Sequence, residues 1–220
     1  MAFDPNGYNP DLVYLLDIEI ARRLDTLAWT QAAAPNTACW YVSHPEGEPS
    51  KVEGDGAAYT QNSSLASCQA GTRRWFYDAT LERLYVHITG GGSPAEGSPY
   101  LASYHWVRLS TDYETYDGHP YRPCLARDAI PSVSSQMGLF HEGGCSLSFG
   151  SIKILNGDGY FDTLFDAYIW EAKEAILRIG EKGKGDANYA VRWYGWTGDI
   201  EEWTDDLVTI STEDLRTNIS

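Results

Sequence analysis

Residues 146–180 read SLSFGSIKILNGDGYFDTLFDAYIWEAKEAILRIG, and this stretch decides the fold of the chain. Its apolar residues alternate as in a strand up to Leu155, and the alternation then stops at the turn Asn156–Gly159. Apolar side chains from Tyr160 to Ile169 recur at helical spacing, and alternation returns between Ala175 and Ile179. The pattern predicts a strand, a tight acidic turn, a short amphipathic helix and a second strand.

The turn in this stretch is rich in glycine and acid. Asp158 is placed to cap the helix, and Asp162 in the first turn suits the helix dipole. An EF-hand loop with Gly159 in its sixth place would need acidic ligands at Ile154 and Phe165, so that calcium motif is excluded. A looser oxygen site is the alternative, formed by Asn156, Asp158 and Asp162. We expect a capped helix start and no bound cofactor or metal.

Two glycines mark the ends of the strands in the same stretch. The apolar phase shifts by one residue at Gly150-Ser151, which predicts a β-bulge. The second strand ends at Gly180, and the loop 180–185 supplies the next turn.

The remainder of the chain is dominated by strand patterns. Residues 11–22 place Leu16, Ile18 and Ile20 at period two, with Asp17 and Glu19 between them, which predicts a half-buried strand.

Further strands follow from the same alternation. Residues 75–77 and 84–88 are typical of the two arms of a hairpin, and 100–109 alternates again. Strands are also predicted at 189–196 and 207–211. The fold class is therefore mainly β with a minor helical part.

The segment from Asp117 to Gly144 is rich in turns, and we place a linker there. The prediction is two β-modules, an N-terminal β-rich module over residues 1–125 and a second domain over 126–220.

Composition and charge limit the function. Aromatic residues make up 13% of the 220 residues, which argues against disorder. The formal net charge of −15 repels phosphate, so neither nucleic acid nor an anionic membrane is expected as a partner. Residues 1–10 lack a basic and an apolar segment, so no secretory signal is expected.

No motif for catalysis or metal binding stands out. No pair of the four cysteines has C-x-x-C spacing, and reduced thiols are expected at Cys39, Cys68, Cys124 and Cys145. The five histidines form no metal-binding or HExxH pattern, which favours ordinary surface or strand positions for His44, His87, His105, His119 and His141. Pairs of acids such as Glu201 and Glu202 lie in solvated runs. We therefore expect a protein that is not an enzyme.

Tyrosine and tryptophan are abundant, which is typical of interfaces and of binding surfaces. Four rings are candidates for interface anchors or for a platform that stacks on sugars: Trp75, Tyr77, Tyr104 and Trp106. Cross-strand pairs in a small core explain the same residues, and the core or interface interpretation is favoured.

Four segments of the last third of the chain resemble one family. Residues 149–162 read FGSIKILNGDGYFD, 174–180 read EAILRIG, 192–200 read RWYGWTGDI and 208–214 read VTISTED. Together they are similar to the tail-tube-like domain of tailed-bacteriophage tail-tip and baseplate proteins, of the hub or distal-tail type.

The resemblance implies a small tail-tube-like β-barrel with a short covering helix in the second domain. It also implies a structural virion protein of the phage tail tip, assembled in the host cytoplasm and lacking catalytic residues. Such a subunit would self-associate into a ring, a trimer or a hexamer, linking the tail tube to hub or fibres, and would bind other tail proteins. The motif positions carried over are Gly150, Asn156, Asp158, Gly159, Phe161, Asp162, Gly180 and Gly195.

Two other functions remain open. A carbohydrate-binding β-module would use the surface tryptophans and tyrosines to bind a receptor or cell-wall glycan. A hydrolase of cell-wall polymer is the third hypothesis, and no acid pair in the sequence is singled out for it.

Overall fold

The computed structural model describes residues 12–97, 100–127, 134–137, 145–148 and 150–214. It consists of 51% strand and 11% helix, in large and mostly antiparallel sheets, which confirms the mainly β class. Among the described strands, no sheet closes into a barrel.

The chain divides into two compact units that are not consecutive in sequence. Unit 1 comprises residues 1–19, 107–166 and 170–220, and unit 2 comprises 20–106 and 167–169. The domain boundary predicted at residues 125 and 126 lies within the segment 107–166 of unit 1, and much of the predicted linker lies outside the described residues.

Unit 1 contains most of the C-terminal strands and the longest helix. Its elements are β10 (Glu114–Tyr116), β11 (His119–Tyr121), β12 (Ser134–Met137), β13 (Cys145–Ser148), β14 (Ser151–Leu155), α3 (Tyr160–Ala167, of which the last residue belongs to unit 2), β15 (Glu174–Glu181), β16 (Ala190–Trp203) and β17 (Leu207–Asp214). It also holds the first part of β1 (Leu12–Arg23) and the last part of β9 (Leu101–Ser110). The predicted order of strand, turn, helix and strand is confirmed by β14, α3 and β15.

The sheet of unit 1 has the strand order β14-β17-β16-β15-β1-β9. Strands β1 and β15 are antiparallel, with Leu16 opposite Leu177. Helix α3 contributes Phe161 and Phe165 to the buried core, and the Phe165 ring lies 4.4 Å from that of Trp170. This packing is the expected use of an amphipathic helix on a sheet.

Strand β1 corrects one sequence prediction. The alternation predicted a polar, solvated face, but Asp17 and Glu19 are only 7% and 8% exposed. Asp17 forms an ion pair with Arg178, and the hydroxyl of Tyr121 donates to it over 2.6 Å. A carboxylate is tolerated inside a sheet when it is paired and hydrogen-bonded in this way.

Unit 2 contains the remaining strands and two short helices. They are β2 (Thr30–Gln31), β3 (Trp40–Ser43), β4 (Lys51–Gly54), β5 (Ala57–Ala58), β6 (Thr60–Gln61), α1 (Leu65–Gln69), β7 (Arg74–Asp78), β8 (Arg83–His87) and α2 (Pro94–Gly97). One sheet has the order β2-β3-β8-β7-β6. In addition, β1, β9, β4 and β5 are hydrogen-bonded neighbours in that order, within the eight-stranded sheet. The hairpin predicted from residues 75–77 and 84–88 is confirmed by the antiparallel pair β7 and β8.

The core of unit 2 is built around Trp75, which is 1% exposed. It belongs to a cluster with Leu24, Val42, Val52, Tyr59, Leu84, Val86, Ile88 and Leu101. A second, smaller cluster contains the thiols of Cys39 and Cys68, both fully buried. None of the helices in the described part of the chain is both long and apolar enough to span a bilayer.

Candidate functional site

The turn between β14 and α3 is organised by Asn156, whose side chain is fully buried. Its Oδ1 accepts the backbone N–H of Phe161 at 3.0 Å, and its Nδ2 donates to Asp162 at 2.7 Å. Asp158 Oδ1 accepts the backbone N–H of Tyr160, the first residue of α3, at 3.1 Å. These bonds satisfy N–H groups that a helix start leaves without partners, so they give the turn a structural purpose.

The looser cation site considered at this turn is weakened by the same bonds. Asn156 and Asp162 are bonded to one another, and Asp158 forms an ion pair with Arg122. Across the part of the chain that the structure describes, no group of three or more His, Cys, Asp or Glu side chains is arranged to hold a metal ion.

The glycines of the motif also have structural purposes. Gly159 has φ of +67° in the turn, a left-handed conformation that favours glycine. At Gly195 a Cβ atom would lie 2.2 Å from the backbone oxygen of Glu213, so only glycine allows this approach of β16 to β17. At Gly180 it would lie 2.5 Å from the Tyr189 ring. The bulge was predicted at Gly150-Ser151, where Gly150 has φ of +76° and β14 begins at Ser151; Phe149 lies outside the described residues.

Strand β16 presents large apolar side chains to solvent. The exposed fractions are 60% for Val191, 42% for Tyr194, 38% for Ile200 and 45% for Trp203, and we call these four side chains the β16 surface. Trp203 also packs on Phe165, with ring centroids 5.1 Å apart. Isolated exposed apolar residues are common, and here four of them lie along one strand.

Acidic side chains accompany the β16 surface. Residues 193–214 contain no lysine or arginine. Six acids in this segment are exposed: Asp199, Glu201, Glu202, Asp205, Asp206 and Glu213. The C-terminal half of β16 therefore exposes both apolar and negatively charged side chains.

A groove of about 590 Å³ lies beside the turn that Asn156 organises. Arg122 lines it and lies over the Tyr160 ring, 4.0 Å from its centroid, while forming an ion pair with Asp158. Tyr113, which is 76% exposed, and Leu155, which is 49% exposed, also line it. The groove combines aromatic, apolar and hydrogen-bonding groups.

The four candidate aromatics do not form one platform. Trp75 is in the core of unit 2, and Tyr77 packs against the same cluster while its hydroxyl donates to the backbone oxygen of His44. Tyr104 and Trp106 are half-buried on β9, where a spacing of two residues places them on one face. Trp75 is not available to stack on a ligand, because its side chain is almost fully covered.

A polar cluster inside unit 2 was missed by the sequence analysis, which expected ordinary surface or strand histidines. Nε2 of the fully buried His44 lies 3.1 Å from Oγ of Ser103 and 3.3 Å from Nε2 of His105. Burial lowers the pKa of both histidines, and that of His105, which also faces His44, is lowered to about 3. Both rings are therefore neutral at pH 7.

The cluster has the order carboxylate, imidazole and hydroxyl, since Glu46 lies 3.5 Å from Nδ1 of His44. Serine hydrolases use this order, but Ser103 is fully buried and a substrate cannot reach its Oγ. No spacing signal in the sequence connects these residues, because His44 directly follows β3 and Ser103 lies 59 residues later.

Comparisons with protein-family models, with curated proteins and with solved structures give no match to this chain. The case for a function therefore depends on the residues and on the geometry described above.

Proposed function

We propose that this chain is a non-enzymatic structural subunit of a bacteriophage tail tip or baseplate that assembles into a ring. The observation that carries the proposal is the β16 surface, where Val191, Tyr194, Ile200 and Trp203 are each at least 38% exposed. Burying apolar area contributes about 25 cal/mol per Å², so a neighbour that covers these side chains is favoured.

Charge favours a ring over a symmetric dimer. In a two-fold dimer each subunit presents the same patch, so the acids around β16 would face their own copies. Asp199, Glu201 and Glu202 would then repel one another across the interface. A head-to-tail contact joins two different patches and closes into a ring, which avoids this repulsion.

The motif residues fit a structural subunit. Asn156, Asp158 and Asp162 hold the start of α3, and Gly195 allows β16 to approach β17 closely. These are requirements of shape rather than of chemistry, in keeping with the resemblance to tail-tip proteins. The tail-tube-like barrel is part of the proposal, and in a ring it would be completed between neighbouring subunits.

The test is a pair of charge substitutions on the β16 surface. Val191→Asp combined with Tyr194→Asp should dissociate the native assembly, because the acids would be buried without partners. Leu81→Asp is the matched control, since Leu81 is a 51% exposed apolar residue of unit 2, in the turn between β7 and β8. Dissociation by Leu81→Asp, or none by the double variant, contradicts the assignment of this surface.

A second test concerns the particle. Mass spectrometry of purified tailed virions from a host that expresses this chain should find it at a stoichiometry matching a ring. Its absence from purified particles would remove the proposal.

Binding of a carbohydrate is the second candidate, and the groove beside Arg122 favours it. Sugars are bound by aromatic faces together with paired donors and acceptors, and Tyr113, Arg122 and Asp158 provide these groups in one place. Its volume lies in the range of about 300–1,000 Å³ that small-molecule sites occupy. Tyr113→Ala should abolish glycan binding on an array, whereas Tyr100→Ala, which changes a tyrosine of unit 2 that is 36% exposed, should not.

A further inference from the structure

Three polar side chains contact one another in unit 2, and none of them belongs to the β16 surface or to the groove beside Arg122. Nε2 of His44 contacts both Oγ of Ser103, at 3.1 Å, and Nε2 of His105, at 3.3 Å. A neutral imidazole nitrogen has either one proton or one lone pair, so it cannot satisfy both neighbours fully. These three side chains therefore form an arrangement that a bound ion could complete.

The distance between the two nitrogens is the one that a metal ion requires. Tetrahedral Zn²⁺ binds imidazole nitrogen at about 2.0–2.1 Å, which places two such ligands about 3.3–3.4 Å apart. The Nε2 atoms of His44 and His105 already have this separation. Their ring centroids are 4.8 Å apart, not much farther than the nitrogens, so the rings lie side by side rather than meeting head-on.

The surroundings of His44 include a carboxylate. Glu46 lies on its Nδ1 side, with Oε2 at 3.5 Å, and Arg22 holds that carboxylate with a hydrogen bond of 2.7 Å. Nδ1 of His44 forms no hydrogen bond at this distance, so Glu46 acts on the ring through its negative charge.

We propose that His44 and His105 bind a divalent transition-metal ion of the zinc type through Nε2, with Ser103 Oγ as a third ligand and water as the fourth. Imidazole ligands select zinc, copper or nickel over magnesium or calcium. The edge of the Tyr168 ring contacts His105, with centroids 5.6 Å apart, and covers one side of the cluster. The site is independent of the proposed function, because all its residues lie in unit 2 and the β16 surface belongs to unit 1.

The experiment uses the full chain, freed of metal with a chelator and titrated with Zn²⁺ by calorimetry. One ion per chain and a higher unfolding midpoint are expected. His105→Gln should weaken binding at least tenfold, because one of the two imidazole ligands is lost. His119→Gln is the control, since His119 is exposed on β11 and should leave the affinity unchanged.

A measurement on the unaltered chain keeps the proposal testable if His105→Gln does not fold. X-ray absorption of the zinc-loaded protein should show two imidazole nitrogens at about 2.0–2.1 Å. A first shell with sulfur would indicate the cysteines, and one of oxygen alone would indicate the surface acids. Either result, an unchanged affinity in folded His105→Gln, or no zinc uptake would overturn the proposal.

Discussion

Tyr121 donates a hydrogen bond of 2.6 Å to Oδ1 of Asp17, a carboxylate that lies 104 residues earlier in the chain and is 7% exposed. Arg178 forms an ion pair with the other oxygen of Asp17, and Nε of Arg108 lies 3.8 Å from Oδ1. This network fixes β1, β9, β11 and β15 of unit 1 around one buried charge. Burial and the bond to Asp17 raise the pKa of Tyr121, so its hydroxyl remains a donor.

Removing the carboxylate should be costly. Asp17→Ala leaves Arg178 and Arg108 facing a space without a counter-charge, and loss of one partner of a buried pair costs about 3–5 kcal/mol. Tyr121→Phe should cost less, about 1.5–3 kcal/mol, because only one hydrogen bond to a charged group is lost. Urea unfolding measures both. Tyr113→Phe, at an exposed tyrosine, is the control, and a cost equal to that of Tyr121→Phe would contradict the network.

Stability should fall between pH 6.5 and pH 5 because of His105. Burial and the neighbouring His44 lower the pKa of His105 from 6.5 to about 3, so the unfolded state binds a proton in this range and the folded state does not. The stabilisation is complete above pH 6.5 and is lost as the pH falls toward the folded pKa. At pH 5 the loss from His105 is about 2 kcal/mol.

Urea unfolding of metal-free protein at about pH 7.5, 6.5 and 5.0 checks this dependence. These values lie above, at and below the ordinary histidine pKa of about 6.5. Paired carboxylates such as Asp25 and Asp112 have lowered pKa values, so they change the stability at a more acidic pH, outside this window. His119→Gln should keep the dependence, while a variant of His105 should reduce it. A flat profile in the native chain would show that His105 takes up a proton as readily in the folded state as in the unfolded state, which would contradict the lowered pKa.

Close packing of β16 against β17 should make Gly195 sensitive to a single methyl group. A Cβ atom there would lie 2.2 Å from the backbone oxygen of Glu213 and 2.4 Å from the Trp193 ring. Gly195→Ala should therefore destabilise the protein by about 1–3 kcal/mol, the usual cost of overpacking. At Gly92 a Cβ atom would meet nothing within 4 Å, so Gly92→Ala should be neutral in thermal unfolding. Equal midpoints for the two variants would contradict the packing.

Local periodicity predicted most of the strands and the helix of unit 1. The alternation around residues 152 and 154, the helical spacing from Tyr160 and the hairpin of β7 and β8 are patterns within a few residues. The structure contains each of these elements, because side chains within a few residues determine which face of an element is buried. The hydrogen bond from the start of α3 to Asp158 follows from the same local pattern, although Gly159 and not Asp158 directly precedes the helix.

Contacts between remote residues could not be predicted in this way. Asp17 alternates like a surface residue, and its burial depends on Arg178, which is 161 residues away. His44 and His105 are separated by 61 residues and share no spacing signal. Asn156 was named in the turn, but its two hydrogen bonds to Phe161 and Asp162 become visible only when the turn is folded. Charge pairing across a sheet depends on topology, which single residues do not encode.

The mass of the native protein in solution tests the central claim most directly. Size-exclusion chromatography with light scattering, followed by negative-stain imaging, should give three or six times the 24.5 kDa subunit and a ring-shaped particle. The double variant Val191→Asp with Tyr194→Asp should return a folded subunit of 24.5 kDa. A native protein that remains a 24.5 kDa monomer at every concentration would contradict the account.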